Sequence, residues 1–306
     1  MEPIKFVVKN TSIRNGRIDH VDIGDATIVN CSDCTSLTQL PLWPNVTVVC
    51  CSGCSSLTEL PLWPNVTEVW CSGCSSLTEL PLWPNVTMVD CTNCTSLIKL
   101  PLWPNVNKVF CYKCTSLTEL PLWPNVKSVD CSDCPSLTEL PLWPNVTEVS
   151  CINSSLTELP LWPNVTIVYC SGCPSLTELS LWPNVTIVDC SNCSSLTELP
   201  LWPNIIKVWC TDCPSLTELP LWPNIIKVYS NLSVKLVKTI YTLVDPNKTI
   251  YSSQSEKCCI CMENPKEIIF NPCYHFDTCI KCAEQLKVVS SKCPICRTRI
   301  ASLIIR

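Results

Sequence analysis

Along most of the chain, apolar residues return in one order every 20 positions, and one period reads Val66-x-x-Val69-x-Cys71-x-x-Cys74-x-x-Leu77-x-x-Leu80-Pro81-x-Trp83-Pro84. Ten such units follow one another, starting at Cys31, Cys51, Cys71, Cys91, Cys111, Cys131, Cys151, Cys170, Cys190 and Cys210. A unit this small cannot bury its own apolar face, so the copies must stack into a solenoid. The alternation Val69, Trp70, Cys71 predicts a short strand with Val69 and Cys71 inward and Trp70 on the outer, concave face. Two prolines within four residues of the Leu-Pro-x-Trp-Pro leg exclude an α-helix and predict an extended or polyproline return. Each unit should therefore add one strand to a parallel sheet.

This spacing is similar to the leucine-rich repeat pattern L-x-x-L-x-L-x-x-N/C-x-L. The short Leu-Pro return leg resembles the repeats of bacterial effector proteins of the YopM and IpaH kind, with Trp where those carry Leu. Over residues 26 to 233 that resemblance implies a fold and no activity. The C-x-x-C of each unit has two readings. It is a stack of zinc or redox sites, or Cys71 is a small core residue and Cys74 fills the ladder position that serves the turn. Unit Cys151-Ile152-Asn153-Ser154-Ser155-Leu156 is one residue short and offers Asn153 in place of the second Cys.

The flanks read as caps, which a solenoid needs to hide its end coils. Residues 1–30 are the N-terminal cap, with Phe6-Val7-Val8 and Ile18-x-x-Val21-x-Ile23 as short strands and His20 as a surface residue. Residues 31–229 are the repeats, and 230–246 the C-terminal cap, in which Leu232 to Val244 reads as an amphipathic helix stopping at Asp245-Pro246. Residues 247–256, polar and Ser-rich, read as a linker. The exposed or buried state of Leu62, Leu82 and Leu102 is left open by the pattern.

A formal charge of -5 gives no broad attraction for a polyanion, so nucleic acid is not an expected partner. No segment approaches a membrane span and the N-terminus lacks a signal-peptide core, so the expected setting is soluble and intracellular, without membrane partners. There the 28 Cys stay reduced, and metal ligation or burial is expected rather than a disulfide framework. The Asn-Val-Thr sequons are then not expected to be glycosylated.

Downstream of the linker, over 257–299, the order changes to three C-x-x-C pairs and one C-x-H. Cys258, Cys261, Cys279 and Cys282 form one tetrahedral ligand set, and Cys273, His275, Cys293 and Cys296 the other, in the interleaved order of a RING domain with two zinc ions. A module of about fifty residues buries too little apolar surface to fold alone, so zinc supplies the folding free energy. The fold class expected is thus a repeat solenoid with a concave parallel sheet and an extended convex side, followed by a small zinc-bound α+β domain.

The eleven-residue gap before Cys273, the Pro-Cys-x-His start and the closing Cys-Pro-Ile-Cys-Arg resemble the RING domains of inhibitor-of-apoptosis proteins. The ten-residue gap between Cys282 and Cys293 is longer than in that family. The resemblance implies a ubiquitin ligase that holds a ubiquitin-charged conjugating E2 enzyme without a catalytic cysteine, through orientation alone. It assigns the E2 contacts to Ile260, Leu286 and Pro294, and the bridge between E2 and ubiquitin to Arg297. Cys259 has no role in the pattern. The apolar tail 300–306, with Leu303-Ile304-Ile305, resembles the tails through which related RINGs pair as homodimers. Near-identical repeats joined to a terminal RING resemble RING finger proteins of giant, mimivirus-like DNA viruses, which implies a viral protein acting in a host cell.

A ligase needs a substrate arm, and the outward position after the second Val varies while the core positions repeat. It reads Cys50, Trp70, Asp90, Phe110, Asp130, Ser150, Tyr169, Asp189, Trp209 and Tyr229. Aromatic residues anchor interfaces, so Trp70, Asp90, Phe110, Asp130, Tyr169, Asp189, Trp209 and Tyr229 are the candidate contacts to a protein substrate. A different class, a non-catalytic scaffold using the RING for assembly, is the alternative. A cysteine-relay ligase would need a further catalytic domain, and no segment here is large enough.

Overall fold

A computed structural model describes residues 5–7, 13–18, 23–220, 222–230, 257, 268–271, 275–278, 283 and 302–305. The chain folds as two compact units, Met1–Thr217 with Asn224–Leu232, and Glu218–Pro223 with Ser233–Arg306.

In the first unit each 20-residue period makes one coil of a parallel β-solenoid. Its sheet holds β1 (Lys5–Val7) and then, beyond a hairpin of β2 (Ile13–Arg14) and β3 (Arg17–Ile18), the strand β4 (Ile28–Asn30). One strand per coil follows: β5 (Val48–Cys50), β6 (Glu68–Trp70), β7 (Met88–Asp90), β8 (Lys108–Phe110) and β9 (Ser128–Asp130). The series ends with β10 (Glu148–Ser150), β11 (Ile167–Tyr169), β12 (Ile187–Asp189), β13 (Lys207–Trp209) and β14 (Lys227–Tyr229). The order is β1-β4-β5 through β14, 12 strands, all parallel where paired, with each Val aligned on the next.

The core is a set of columns. Val66, Val69, Cys71, Cys74, Leu77 and Trp83 are fully buried, as are their equivalents in the coils on either side. The return legs are neither helix nor strand, as two prolines in nine legs require, and the leg with Ser180 in place of the first Pro follows its neighbours. Successive indoles stack with centroids 6.0 Å apart and planes within 11° from Trp63 to Trp83 and from Trp83 to Trp103. Paired strands sit roughly 4.8 Å apart, so each coil is wider on its Trp side, and the array bends with the sheet on its concave side.

Polar groups inside the coils are satisfied from one coil to the next. The indole N–H of Trp83 donates to the Pro61 carbonyl at 2.9 Å, and Asn85 Nδ2 donates to the Pro64 carbonyl at 2.9 Å. The Cys74 thiol donates to the Cys51 carbonyl at 3.1 Å, and Cys94 and Cys114 repeat the bond one and two coils on. These thiols therefore serve the ladder. Among the described residues no three His, Cys, Asp or Glu side chains converge in the manner of a metal site.

The residue between each Cys pair sits at positive φ. Gly53, Gly73 and Gly172 occupy it in three coils, and Asp33, Asn93, Asp133, Asn153, Asn192 and Asp212 in six others. Lys113 is the exception, at φ 59. This column corrects the alignment of the short unit. Asn153, expected in the second-Cys slot, takes the left-handed position at φ 54, and buried Ser154 stands where Cys stands elsewhere. Its hydroxyl lies 3.1 Å from the Cys173 thiol. The deleted residue is lost from the exposed turn before Leu156, where shortening disturbs no core column.

The N-terminal cap joins the sheet, since Phe6 pairs with Val29. Asn15 and Gly16, both at positive φ, form the turn of the β2–β3 hairpin. An Asn-Gly pair is the strongest short hairpin signal, because a two-residue turn of this hand needs φ > 0 at both positions. Of the strand read from Ile18 to Ile23, Ile18 belongs to β3 and Ile23 to no strand, and Asp19 to Asp22, with His20, lie outside the described residues. The expected C-terminal helix and the linker also lie outside them.

In the second unit, β15 (Ile268–Asn271) is the centre of a three-stranded antiparallel sheet, flanked by β16 (His275–Thr278) and β17 (Ser302–Ile305). The apolar tail, expected to follow the zinc domain as a segment of its own, supplies β17. Ile268 pairs with Ile305, and Phe270 with Leu303.

Candidate functional site

The zinc module is organised by the hairpin of β15 and β16. Phe270 pairs with His275 in the antiparallel ladder, and Cys273 lies between the two in the chain. Thr278 ends β16, and Cys279 follows it directly in the chain. A β-hairpin thus carries Cys273 and His275 at one end and leads into Cys279 at the other. Ala283, one residue past Cys282, is helical and fully buried. Cys258, Cys261, Cys273, Cys279, Cys282, Cys293 and Cys296 lie outside the described residues, as do Ile260, Leu286, Pro294 and Arg297. The donor set of seven thiols and one imidazole, grouped four and four, fits tetrahedral zinc.

On the concave sheet of the first unit, the outward row comes together as the alternation requires. Trp70 is beside Asp90, Asp90 beside Phe110, and Phe110 beside Asp130. Tyr169, Asp189, Trp209 and Tyr229 continue it strand by strand. Trp209 and Tyr229 stack with centroids 5.0 Å apart and planes within 5°. Asp90, Asp130 and Asp189 have a local role as well. One carboxylate oxygen of each accepts the amide two residues on, from Thr92, Ser132 and Ser191, at 2.9–3.0 Å. Such a turn closes the strand end, and leaves the second oxygen to face outward.

A second row of the same face was not read from the sequence, although period-two alternation implies it. Glu68, Met88, Lys108, Ser128, Glu148, Ile167, Ile187, Lys207 and Lys227 run parallel to the first. Lys207 and Lys227 stand side by side next to Trp209 and Tyr229, which makes that end basic and aromatic.

A further concavity of the repeat unit lies on a different surface. A groove of about 1450 Å³ runs from Asn85 to Ile226 along the segments that enter the strands, lined by the Asn column and by Thr87, Asn107, Lys127, Thr147 and their successors. Thr87 Oγ1 donates to the Thr67 carbonyl at 3.1 Å, so its proton is engaged and its lone pairs remain. The signal in the sequence was the Asn-Val-Thr phase itself, two polar residues flanking a core Val in eight units, with Asn-Ile-Ile in the last two.

The first Cys of every coil is held protonated, while hydrogen bonds from neighbouring thiols pull Cys54, Cys134 and Cys173 below the ordinary range. Burial pushes the Cys131 and Cys190 thiols well above the ordinary range, and neighbouring thiols add to it. The second thiol of a pair donates to a carbonyl of the preceding coil, and those bonds support the ladder reading of the C-x-x-C pairs. No helix among the described residues is long and apolar enough to cross a membrane.

Comparison with known proteins divides the same way. Residues 254–303 match the family "Zinc finger, C3HC4 type (RING finger)". They are similar to the mitochondrial E3 ubiquitin protein ligase 1 of Drosophila melanogaster, 46% identical over 50 residues, or 16% of this chain and 14% of that one. The probable E3 ubiquitin-protein ligase LUL3 of Arabidopsis thaliana is 43% identical over 49 residues, 16% of this chain and 13% of its own. The match thus spans about one seventh of each relative's length. The fold is similar to YopM from Yersinia enterocolitica WA-314, 25% identical with a TM-score of 0.45, over 68% of this chain and 57% of that one. The chain is a parallel β-solenoid with a C-terminal RING finger.

Proposed function

We propose that the protein is a RING-type E3 ubiquitin ligase whose repeat sheet recruits a protein substrate. The observation that carries this reading is the match of residues 254–303 to the RING finger family together with identity of 43–46% to ubiquitin ligases over that segment. Cys258, Cys261, Cys279 and Cys282 would hold one zinc ion, and Cys273, His275, Cys293 and Cys296 a second. Zinc bound there supplies folding free energy to a module with little core of its own.

The chain's residues then act by position. Ile260, Leu286 and Pro294 offer the apolar contacts for a conjugating E2 enzyme, and Arg297 offers a planar fork of donors to the E2–ubiquitin pair. Rate enhancement comes from restricting the thioester to a reactive pose. The row from Trp70 to Tyr229 offers aromatic anchors one to three coils apart with acids between them, which suits a protein surface with apolar and basic features.

The test is a reaction of the full chain with purified activating enzyme, a panel of E2 enzymes and ubiquitin. Chains are expected with at least one E2 and lost in Arg297→Ala, with circular dichroism unchanged. Absence of chains with every E2 overturns the ligase reading and leaves a scaffold that uses its RING for assembly.

A further inference from the structure

The leucine that precedes each column tryptophan has no part in the core. From Leu42 to Leu201 it is 55–62% exposed in every described coil. Its identity is nonetheless the same in all ten units, Leu221 included. Other columns show what constancy ordinarily reflects. The Trp is constant and fully buried, and the Asn is constant and bonded to the preceding coil. The outward sheet row, which does neither, has drifted to Cys, Trp, Asp, Phe, Ser and Tyr. A constant, exposed, apolar position therefore points to a contact outside the chain. Nine such leucines in line also exceed the few hundred Å² of contiguous apolar patch that soluble monomers expose.

Three residues before each of these leucines is a second exposed column. From Glu119 through Glu139, Glu158 and Glu178 to Glu198 it is glutamate in five successive coils. Among the described residues no hydrogen bond or ion pair engages these five, and like charges one coil apart repel. Between the two columns the surface is indented. A recess of about 380 Å³ is lined by Glu119, Leu120, Leu122, Glu139, Leu140 and Pro141. Leucine and proline surfaces with two carboxylates beside them complement a side chain with an apolar stem and a cationic head, that of Arg or Lys.

We propose that the exposed leucine ridge and its glutamate column form a docking surface for a basic amphipathic helix of a partner protein. Such a helix lays its apolar residues along the ridge and its Arg or Lys residues between successive glutamates. One helical turn advances roughly 5.4 Å, against 6.0 Å between coils at the adjacent tryptophans. Residues three or four apart therefore meet successive coils over several turns. The carboxylates turn away an anionic lipid surface by the same charge. This surface is separate from the concave sheet and requires nothing of the ligase reading, because docking is measured without E2 or ubiquitin.

The experiment titrates the full chain into a fluorescein-labelled synthetic helix with Leu and Arg on one face and follows anisotropy. A scrambled peptide of the same composition and a charge-reversed peptide with Glu for Arg are the comparisons. Binding is expected for the amphipathic basic helix alone. It should weaken about tenfold or more in Glu119→Lys with Glu139→Lys, and in Leu122→Ser with Leu142→Ser, as loss of anchoring contacts does. Trp70→Ser with Phe110→Ser on the concave sheet should leave it unchanged. Thermal melts of each variant confirm the fold, and these side chains are exposed enough for that to hold. The proposal is overturned if the scrambled or reversed peptide binds equally, or if the sheet variant weakens binding as much as the ridge variants. It is also overturned if light scattering shows a dimer that Leu122→Ser with Leu142→Ser dissociates, since the ridge would then belong to a second copy of the chain.

Discussion

Trp103 lies on Trp83 with ring centroids 6.0 Å apart and planes within 9°. Each indole also donates its N–H to a carbonyl of the preceding coil, Trp103 to Pro81 at 2.9 Å. The column is both the largest apolar component of the core and a polar ladder. Trp103→Ala should cost about 3–5 kcal/mol, the range for emptying a large buried side chain. Trp103→Phe keeps much of the volume and loses the indole donor, while the Pro81 carbonyl retains its bond from the Trp83 amide, so it should cost about 0.5–1.5 kcal/mol. Urea denaturation followed by tryptophan fluorescence measures both, and a Phe variant as stable as the parent would separate the carbonyl bond from stability.

The Cys74 thiol and the Cys51 carbonyl are both buried, 3.1 Å apart. Cys74→Ser retains a donor and should be tolerated. Cys74→Val, closer to Cys in apolar character, removes one of the two donors to the Cys51 carbonyl, the Cys54 amide remaining, and should cost about 0.5–1.5 kcal/mol, the net contribution of one hydrogen bond. Chemical denaturation of the two variants ranks them, and the opposite order would show that the thiol acts by packing rather than by its hydrogen bond.

Lys113 occupies a left-handed position that Gly, Asn or Asp takes in the other coils. Left-handed backbone costs an ordinary L-residue roughly 1–2 kcal/mol, and Gly bears none of that strain. Lys113 also approaches the Tyr112 ring at 5.0 Å, which offsets a part. Lys113→Gly should raise the melting temperature, as read by circular dichroism. A fall would mean that the cation–π contact outweighs the backbone.

Chelation should act on one unit alone. The repeat ladder is made of backbone, indole and thiol hydrogen bonds, while the donors for zinc are in 258–296. Elemental analysis of the full chain should return about two zinc atoms per molecule, the number set by four-ligand coordination of eight donors. Removing them should abolish ubiquitin transfer and leave the melt of the repeats in place. A repeat melt that shifts with chelator would assign metal to the Cys columns.

The tail is a structural strand, since Leu303 and Ile305 pair with Phe270 and Ile268 at the edge of β15. Truncation after Arg299 exposes that edge and should weaken zinc retention, measured by release to a chromogenic chelator. If zinc is held as tightly without β17, the tail is dispensable to the module. Light scattering of the full chain then remains the measure of pairing between copies.

Much of this was readable because the repeat averages out local ambiguity. A single Val-x-Cys triplet is a weak strand signal, but ten in phase leave one solution in which every Val69-type position is buried. The C-x-x-C pairs were ambiguous for the opposite reason. Spacing suits a metal site and a ladder equally, and the bond from Cys74 to a carbonyl 23 residues earlier is visible only when coils are stacked. Asn153 was misplaced because a one-residue gap can be drawn anywhere in a line of text, whereas φ 54 admits it at one position.

Periodicity alone determined that the chain coils once in 20 residues and which side chains face inward, and Cys and His spacing set out eight candidate zinc donors after the coils. Tertiary structure decided what lies between coils. It showed the exposure of the leucine ridge, the groove along the Asn and Thr columns, the carbonyls that Cys and Trp serve, and the strand that the tail supplies. Those properties depend on distances between residues twenty or more positions apart, and a hydrophobic pattern carries phase without carrying distance.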